Sequence, residues 1–201
     1  MANANKPFGL TPVKYLGGAD WDGKANIYYI DSADGSAFYP GDLVKLSGSG
    51  DTTRGIAGIS KSAAGDASVG VLIAVGTNPD GGPYIDPTNL TLTSAPATKT
   101  KNYYALVVDD PNVIFEIMEI YSGTPLDATA IGLNANISVA APATGVVVSG
   151  SVLDNATEAV TATLNCKLLG LSRRIGNAFG NGAVWNVLIN NHQYRSGITG
   201  V

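Results

Sequence analysis

Charge is what this sequence lacks most. Only 14% of its 201 residues are Asp, Glu, Lys or Arg, against about a quarter in an ordinary globular chain. Basic residues are the scarcer sign, twelve against sixteen acidic ones, for a net charge of −4. The basic doublet Arg173-Arg174 reads as a solvated strand end. A nucleic-acid interface needs clustered Lys and Arg, so no nucleic-acid partner is expected. Cysteine is nearly absent as well: Cys166 stands alone in Leu-Asn-Cys-Lys-Leu-Leu. It has no disulfide partner within the chain and reads as a small buried hydrophobe. The single histidine, His192, sits in Asn-Asn-His-Gln-Tyr and reads as a surface residue. One Cys and one His are too few for a zinc site. A triad or a Cys166–His192 dyad would need a base held by a partner in a formed pocket. No apolar run near the start is long enough for a signal peptide or a membrane span. Together with the lone cysteine, this fits synthesis in a reducing cytoplasm and no membrane partner.

The carboxylates offer little chemistry. Glu116 and Glu119 are three apart on a strand-like run, so they point to opposite faces and cannot flank one glycosidic bond. Asp109-Asp110-Pro111-Asn112 is turn chemistry. Asp20 with Asp22, and Asp31 with Asp34, also read as turns, since neither pair has the closing Glu of a calcium loop. No glycine-rich phosphate loop occurs, so no cofactor and no catalytic residue is expected. Asn-x-Ser/Thr triplets at Asn89, Asn136 and Asn155 read as chance.

What the chain has in abundance is small and β-prone residues, with 25 glycines and 45% hydrophobic content. β-rich runs occupy residues 26–30, 41–46, 56–60, 69–75, 102–108, 113–120, 137–140, 146–148, 159–164, 167–173 and 184–189. Turn clusters separate them, at 47–55 and 78–83 among others. Residues 102–120 read as a hairpin closed at Pro111. The second strand of that hairpin is apolar on both faces and therefore central in a sheet. Residues 84–93 read as a surface crossing. Residues 124–130 suggest one short helix, with Thr124 as its N-cap and Pro125 at its first position. The tail from Tyr194 to Val201 reads as loose. The fold class is all-β: a β-sandwich, jelly-roll or barrel core with an extended N-terminal arm. The arm covers residues 1–25 and the core residues 26–201, with a mild boundary near 77–100.

The arm is the most distinctive stretch. It holds Phe8, Leu10, Val13, Tyr15, Leu16 and Trp21, yet Pro7, Pro12 and scattered glycines bar a regular helix. Such a segment gains order by lying on something, either its own chain or a neighbour. The motif Asn-Lys-Pro-Phe-Gly-Leu-Thr-Pro-Val-Lys-Tyr-Leu-Gly-Gly-Ala-Asp-Trp-Asp-Gly at residues 5–23 resembles the start of a group of small structural proteins of tailed bacteriophages. Residues 25–30 (Ala-Asn-Ile-Tyr-Tyr-Ile), 41–44 (Gly-Asp-Leu-Val) and 107–116 (Val-Val-Asp-Asp-Pro-Asn-Val-Ile-Phe-Glu) agree with it. The likeness is strongest over 1–45 and 104–118. The resemblance implies a capsid decoration, or cement, protein made in the bacterial cytoplasm and bound to the outside of the virion head. It also implies the major capsid protein as partner, a homo-oligomer with a trimer favoured over a dimer, and no catalytic, metal or cofactor site. Pro7, Phe8, Leu10, Pro12, Tyr15 and Trp21 are then the expected capsid or inter-subunit contacts. The alternative is a tail- or fibre-associated carbohydrate-binding module using Tyr103, Tyr104, Trp185 and Tyr194. Against that stands the plainer reading that these aromatics pack in a core or interface.

Overall fold

Neighbouring side chains of a strand point to opposite faces, and several strands of this chain put apolar residues on both. The computed structural model describes residues 3–77 and 94–195. The strands are β1 (Thr11–Tyr15), β2 (Asn26–Ile30), β3 (Leu43–Asp51), β4 (Ile56–Lys61), β5 (Gly70–Gly76) and β6 (Tyr103–Val108), followed by β7 (Val113–Met118), β8 (Asn134–Ala135), β9 (Ile137–Ser138), β10 (Val152–Leu153), β11 (Cys166–Leu171) and β12 (Val184–Ile189). Five of them close into a small barrel in the order β2-β4-β3-β5-β6, with β6 returning antiparallel to β2. Five others form an open sheet, β1-β7-β12-β11-β8, and β9 pairs with β10 as a two-stranded ribbon.

Alternation joins the two layers. Val44, Leu72 and Val107 fill the barrel with Phe38, Ile59 and Tyr103. Their neighbours Leu43, Val71 and Val108 face out of the barrel and pack with Phe115, Ile117, Trp185 and Val187 of the sheet. The interface between barrel and sheet is therefore core, and the fold is all-β as the composition implied. Strand β7 is buried at every position and lies between β1 and β12, which agrees with a run that is apolar on both sides.

Several expectations need correction. The runs at 102–108 and 113–120 are not a hairpin: β6 belongs to the barrel and β7 to the sheet. Asp109-Asp110-Pro111-Asn112 turns the chain from one layer to the other. The division of the fold falls there. The expected boundary near 77–100 instead lies between β5 and β6, which pair within one barrel. The short helix is a single 3-10 turn, Ala128–Ala130, and its cap is Asp127, whose carboxylate accepts from Thr129 N. Residues 146–148 and 159–164 are turns rather than strands, apart from one bridge at Ala159. The loop expected from 47 is partly strand, since β3 runs on to Asp51 through a bulge. The turn at 78–83, the crossing at 84–93, the Asn89 triplet and the tail beyond Arg195 lie outside the described residues.

The arm lies on its own chain. Its outer part is β1, paired with β7 from Thr11↔Glu116 to Tyr15↔Val113. A tight return pairs Tyr15 N with Ala19 O and Trp21 N with Val13 O, covering the free edge of β1. Leu10 N donates to Gly41 O at 2.9 Å. That approach requires glycine on both sides: a Cβ on Gly9 (φ 68) would lie 2.4 Å from Gly41 O, and one on Gly41 (φ 92) 2.6 Å from Phe8 O. Further out, Asn3 Nδ2 donates to Ala178 O at 2.9 Å and Asn3 Oδ1 accepts from Ala178 N at 3.2 Å.

Candidate functional site

Of the six nominated arm residues, Leu10 is an interior residue of the chain itself. It is 1% exposed and packs in the core shared by barrel and sheet. Its side chain is therefore anchored in the core of its own chain. Phe8, Pro12 and Trp21 stay half-buried. With Leu10, Thr11, Pro40, Gly41, Ile73 and Val148 they line an open groove of about 370 Å³. Not one charged residue lines it. Tyr15 is spent on a local contact, donating to Asp22 Oδ1 at 2.7 Å. Asp22 in turn bonds Lys24 at 2.8 Å. Lys24 first and Tyr15 second hold the Asp22 carboxyl down to about 2. Pro7 is half-buried and outside the groove.

Sequence reasoning missed Pro40, Ile73 and Val148, because they arrive from the segment before β3, from β5 and from a distant loop, and share no spacing. One signal was available: the resemblance motifs at 5–23, 41–44 and 107–116 are the stretches that meet here, through Leu10–Gly41 and β1–β7. The apolar surface continues beyond the groove. Val146 and Val147, beside Val148, are 42% and 51% exposed.

The aromatics proposed for sugar binding are mostly inside. Tyr103 and Tyr104 are 8% and 6% exposed and Trp185 is fully buried, while Tyr194 is half exposed. The Trp185 indole N–H donates to Glu119 Oε2 at 3.0 Å. Glu119 Oε1 accepts from Leu126 N and Asn155 Nδ2, both at 3.0 Å. Glu116 lies on the opposite face of β7, as its spacing from Glu119 requires. It accepts from Ser172 Oγ and from Arg174 Nε. The basic doublet is thus only half solvated: Arg174 pairs with Glu116 and stacks over the Phe8 ring, 4.9 Å from its centroid.

His192 is not a surface residue. It is fully buried, because the polar residues around it tie the last segment to the barrel. Ser68 N donates to Asn191 O, Gln193 N to Ser68 O, and Leu46 N to Gln193 Oε1, each at 2.8 Å. His192 Nδ1 accepts from Tyr194 N at 3.1 Å, and its buried Nε2 has no partner. Burial first, and the Arg195 cation second, push the imidazole down to about 4. Cys166 is buried in the core, where burial pushes the thiol up to about 12. A neutral thiol is a poor nucleophile. The paired aspartates close turns: Asp31 accepts from Ala33 N and Asp34 from Ser36 N. Asn155 binds Glu119 and Ser122 O through its amide nitrogen, and Asn136 Oδ1 accepts from Gly65 N, so both triplet asparagines serve the fold. Among the described residues no helix is long and apolar enough to cross a membrane.

The surface feature that combines apolar side chains, access and absence of charge is the groove of Phe8, Pro12 and Trp21. Its chemistry suits covering by another apolar surface. Comparison of the chain with family models, with curated proteins and with solved structures found no match.

Proposed function

We propose that this chain is a virion structural protein, a capsid decoration protein that binds the outer surface of a phage head and stabilises the lattice of the major capsid protein. The observation that carries the reading is the uncharged groove of Phe8, Pro12, Trp21, Pro40, Ile73 and Val148. Interface cores are depleted of charge and enriched in aromatics, and this groove has both properties. A rigid all-β body holds its walls, since β1 is hydrogen-bonded to β7 and Leu10 is anchored in the core. The resemblance of residues 1–45 and 104–118 to phage structural proteins supplies the identity of the partner. The protein works as a homo-oligomer, a trimer in preference to a dimer, on the virion exterior. The carbohydrate-binding alternative has no comparable support, because three of its four aromatics are core residues.

Immunogold labelling of the phage that encodes the chain, with co-sedimentation of purified protein and heads, tests the reading. Label on the head, and loss of co-sedimentation for Trp21→Glu and Val148→Glu variants with wild-type circular dichroism, is the expected result. Label confined to the tail, or wild-type protein that stays in the supernatant, refutes it.

A further inference from the structure

The outer face of the open sheet, turned away from the barrel, carries a charge pattern opposite to that of the chain. Two hollows lie on it. One, of about 410 Å³, is lined by Lys6, Phe8, Met118, Arg174 and Val184 among others. The second, of about 340 Å³, is lined by Lys14, Asp20, Glu116, Arg173, Arg174 and Asn186 among others. Arg174 lines both, so the two hollows adjoin at this residue, and together they are called the trough. Arg174 is fixed in place, held by Glu116 below and by the Phe8 ring beside it. Lys6, Lys14 and Arg173 are exposed and make no ion pair among the described residues. The trough therefore gathers four of the twelve cations of the chain but only two of its sixteen carboxylates. Glu116 and Arg174 neutralise each other, which leaves Lys6, Lys14 and Arg173 against Asp20.

We infer that this trough docks an extended acidic segment of the protein on which the chain sits. The choice of that protein rests on the decoration reading above; the chemistry rests on the trough alone. A chain of net charge −4 repels an acidic partner over most of its surface, so such a partner is steered to the patch of inverted sign. An extended peptide advances about 3.3 Å per residue with side chains alternating in direction. Isolated carboxylates on such a segment can thus pair with the exposed Lys6, Arg173 and Lys14. A nucleic acid is the poorer occupant: its closely spaced phosphates would run over Asp20 and Glu116, and its affinity grows with each cation added.

The experiment uses the full chain, with a fluorescent octaglutamate peptide as probe and an oligothymidylate of equal length as control. The variant is Lys14→Glu/Arg173→Glu, two exposed positions outside the core. Octaglutamate is expected to bind the wild type, to weaken as salt rises, and to lose about tenfold or more in affinity on the double charge reversal. The same variant is expected to weaken binding to heads. The inference is overturned if octaglutamate does not bind, if the variant binds it as well as the wild type does, or if oligothymidylate binds more tightly. If the wild type and the variant bind heads equally, the trough plays no part in docking and the inference fails while the decoration reading stands. If octaglutamate binds as expected but the wild type ignores heads, the decoration reading fails and the acidic-segment site stands.

Discussion

Truncating Leu10 to alanine decides whether the arm belongs to the fold or to a partner. Leu10 is 1% exposed and contributes to the core that joins barrel and sheet. The truncation strips the branching carbon and its paired methyl groups from a packed site flanked by glycines. Gly9 and Gly41 cannot close the gap, because their backbones already touch. Limited collapse places the cost in the usual range for a buried leucine, about 3–5 kcal/mol. For a chain of this size each kcal/mol lowers the melting midpoint by about 2–4 °C, so a fall of roughly 6–20 °C is expected. Differential scanning calorimetry of the isolated protein reads it directly. Leu16→Ala is the control: Leu16 is 54% exposed, and its truncation is expected to stay within about 0.5 kcal/mol. Because barrel and sheet share a core, a single transition is expected for each variant. A Leu10→Ala protein that melts with the wild type, yet no longer binds heads, would refute the reasoning and return Leu10 to the surface of a partner.

Two further outcomes follow from buried polar groups. His192 titrates near 6.5 when unfolded and at about 4 when folded, so the unfolded chain takes up the proton first. Its contribution is complete above pH 6.5 and is lost as pH falls towards 4, up to about 3 kcal/mol; urea midpoints across this window should fall more steeply for the wild type than for His192→Gln. Glu119→Gln turns an acceptor of three N–H bonds into a group with an amide of its own to place. It is expected to cost about 1–3 kcal/mol and to shift the Trp185 emission, and unchanged stability would show that the network is dispensable.

The legible parts of this fold were the runs whose burial is written locally. Residues 69–75 are a continuous apolar run and 184–189 a β-rich one interrupted only by Asn186, and they form strands β5 and β12. The 113–118 run is apolar on both faces and is buried on both. What residue types could not convey was partner choice. Asp109-Asp110-Pro111-Asn112 has the chemistry of a hairpin turn, but the same chemistry serves a crossing between layers, and only β2, β5, β1 and β12 decide which one forms. Residues 146–148 are β-branched yet join no strand. His192 looked exposed because Asn190, Asn191 and Gln193 are polar, but the Asn190 side chain donates to Ala162 O and Leu164 O, and Gln193 Oε1 accepts from Leu46 N. The arm showed its stickiness in sequence and hid its partner, the chain itself. Three of its six nominated residues reach the groove without being core, and the rest of the groove comes from segments with no common spacing.

The crossing at 109–112 also imposes an order on synthesis. Every barrel strand lies between residues 26 and 108, so the barrel is complete in covalent terms when only half the chain has been made. The sheet draws on both ends: β1 is among the first strands translated, yet its neighbour β7 starts at Val113, and the strand beyond that, β12, ends at Ile189. During translation, at roughly 5–20 residues per second, Leu10 meets only the barrel side of its core, Leu43, Val71 and Val108, until residues beyond 113 have emerged. Over that interval β1 lacks its sheet partner, and β12, which follows later in the chain, pairs with β7 on the side away from β1.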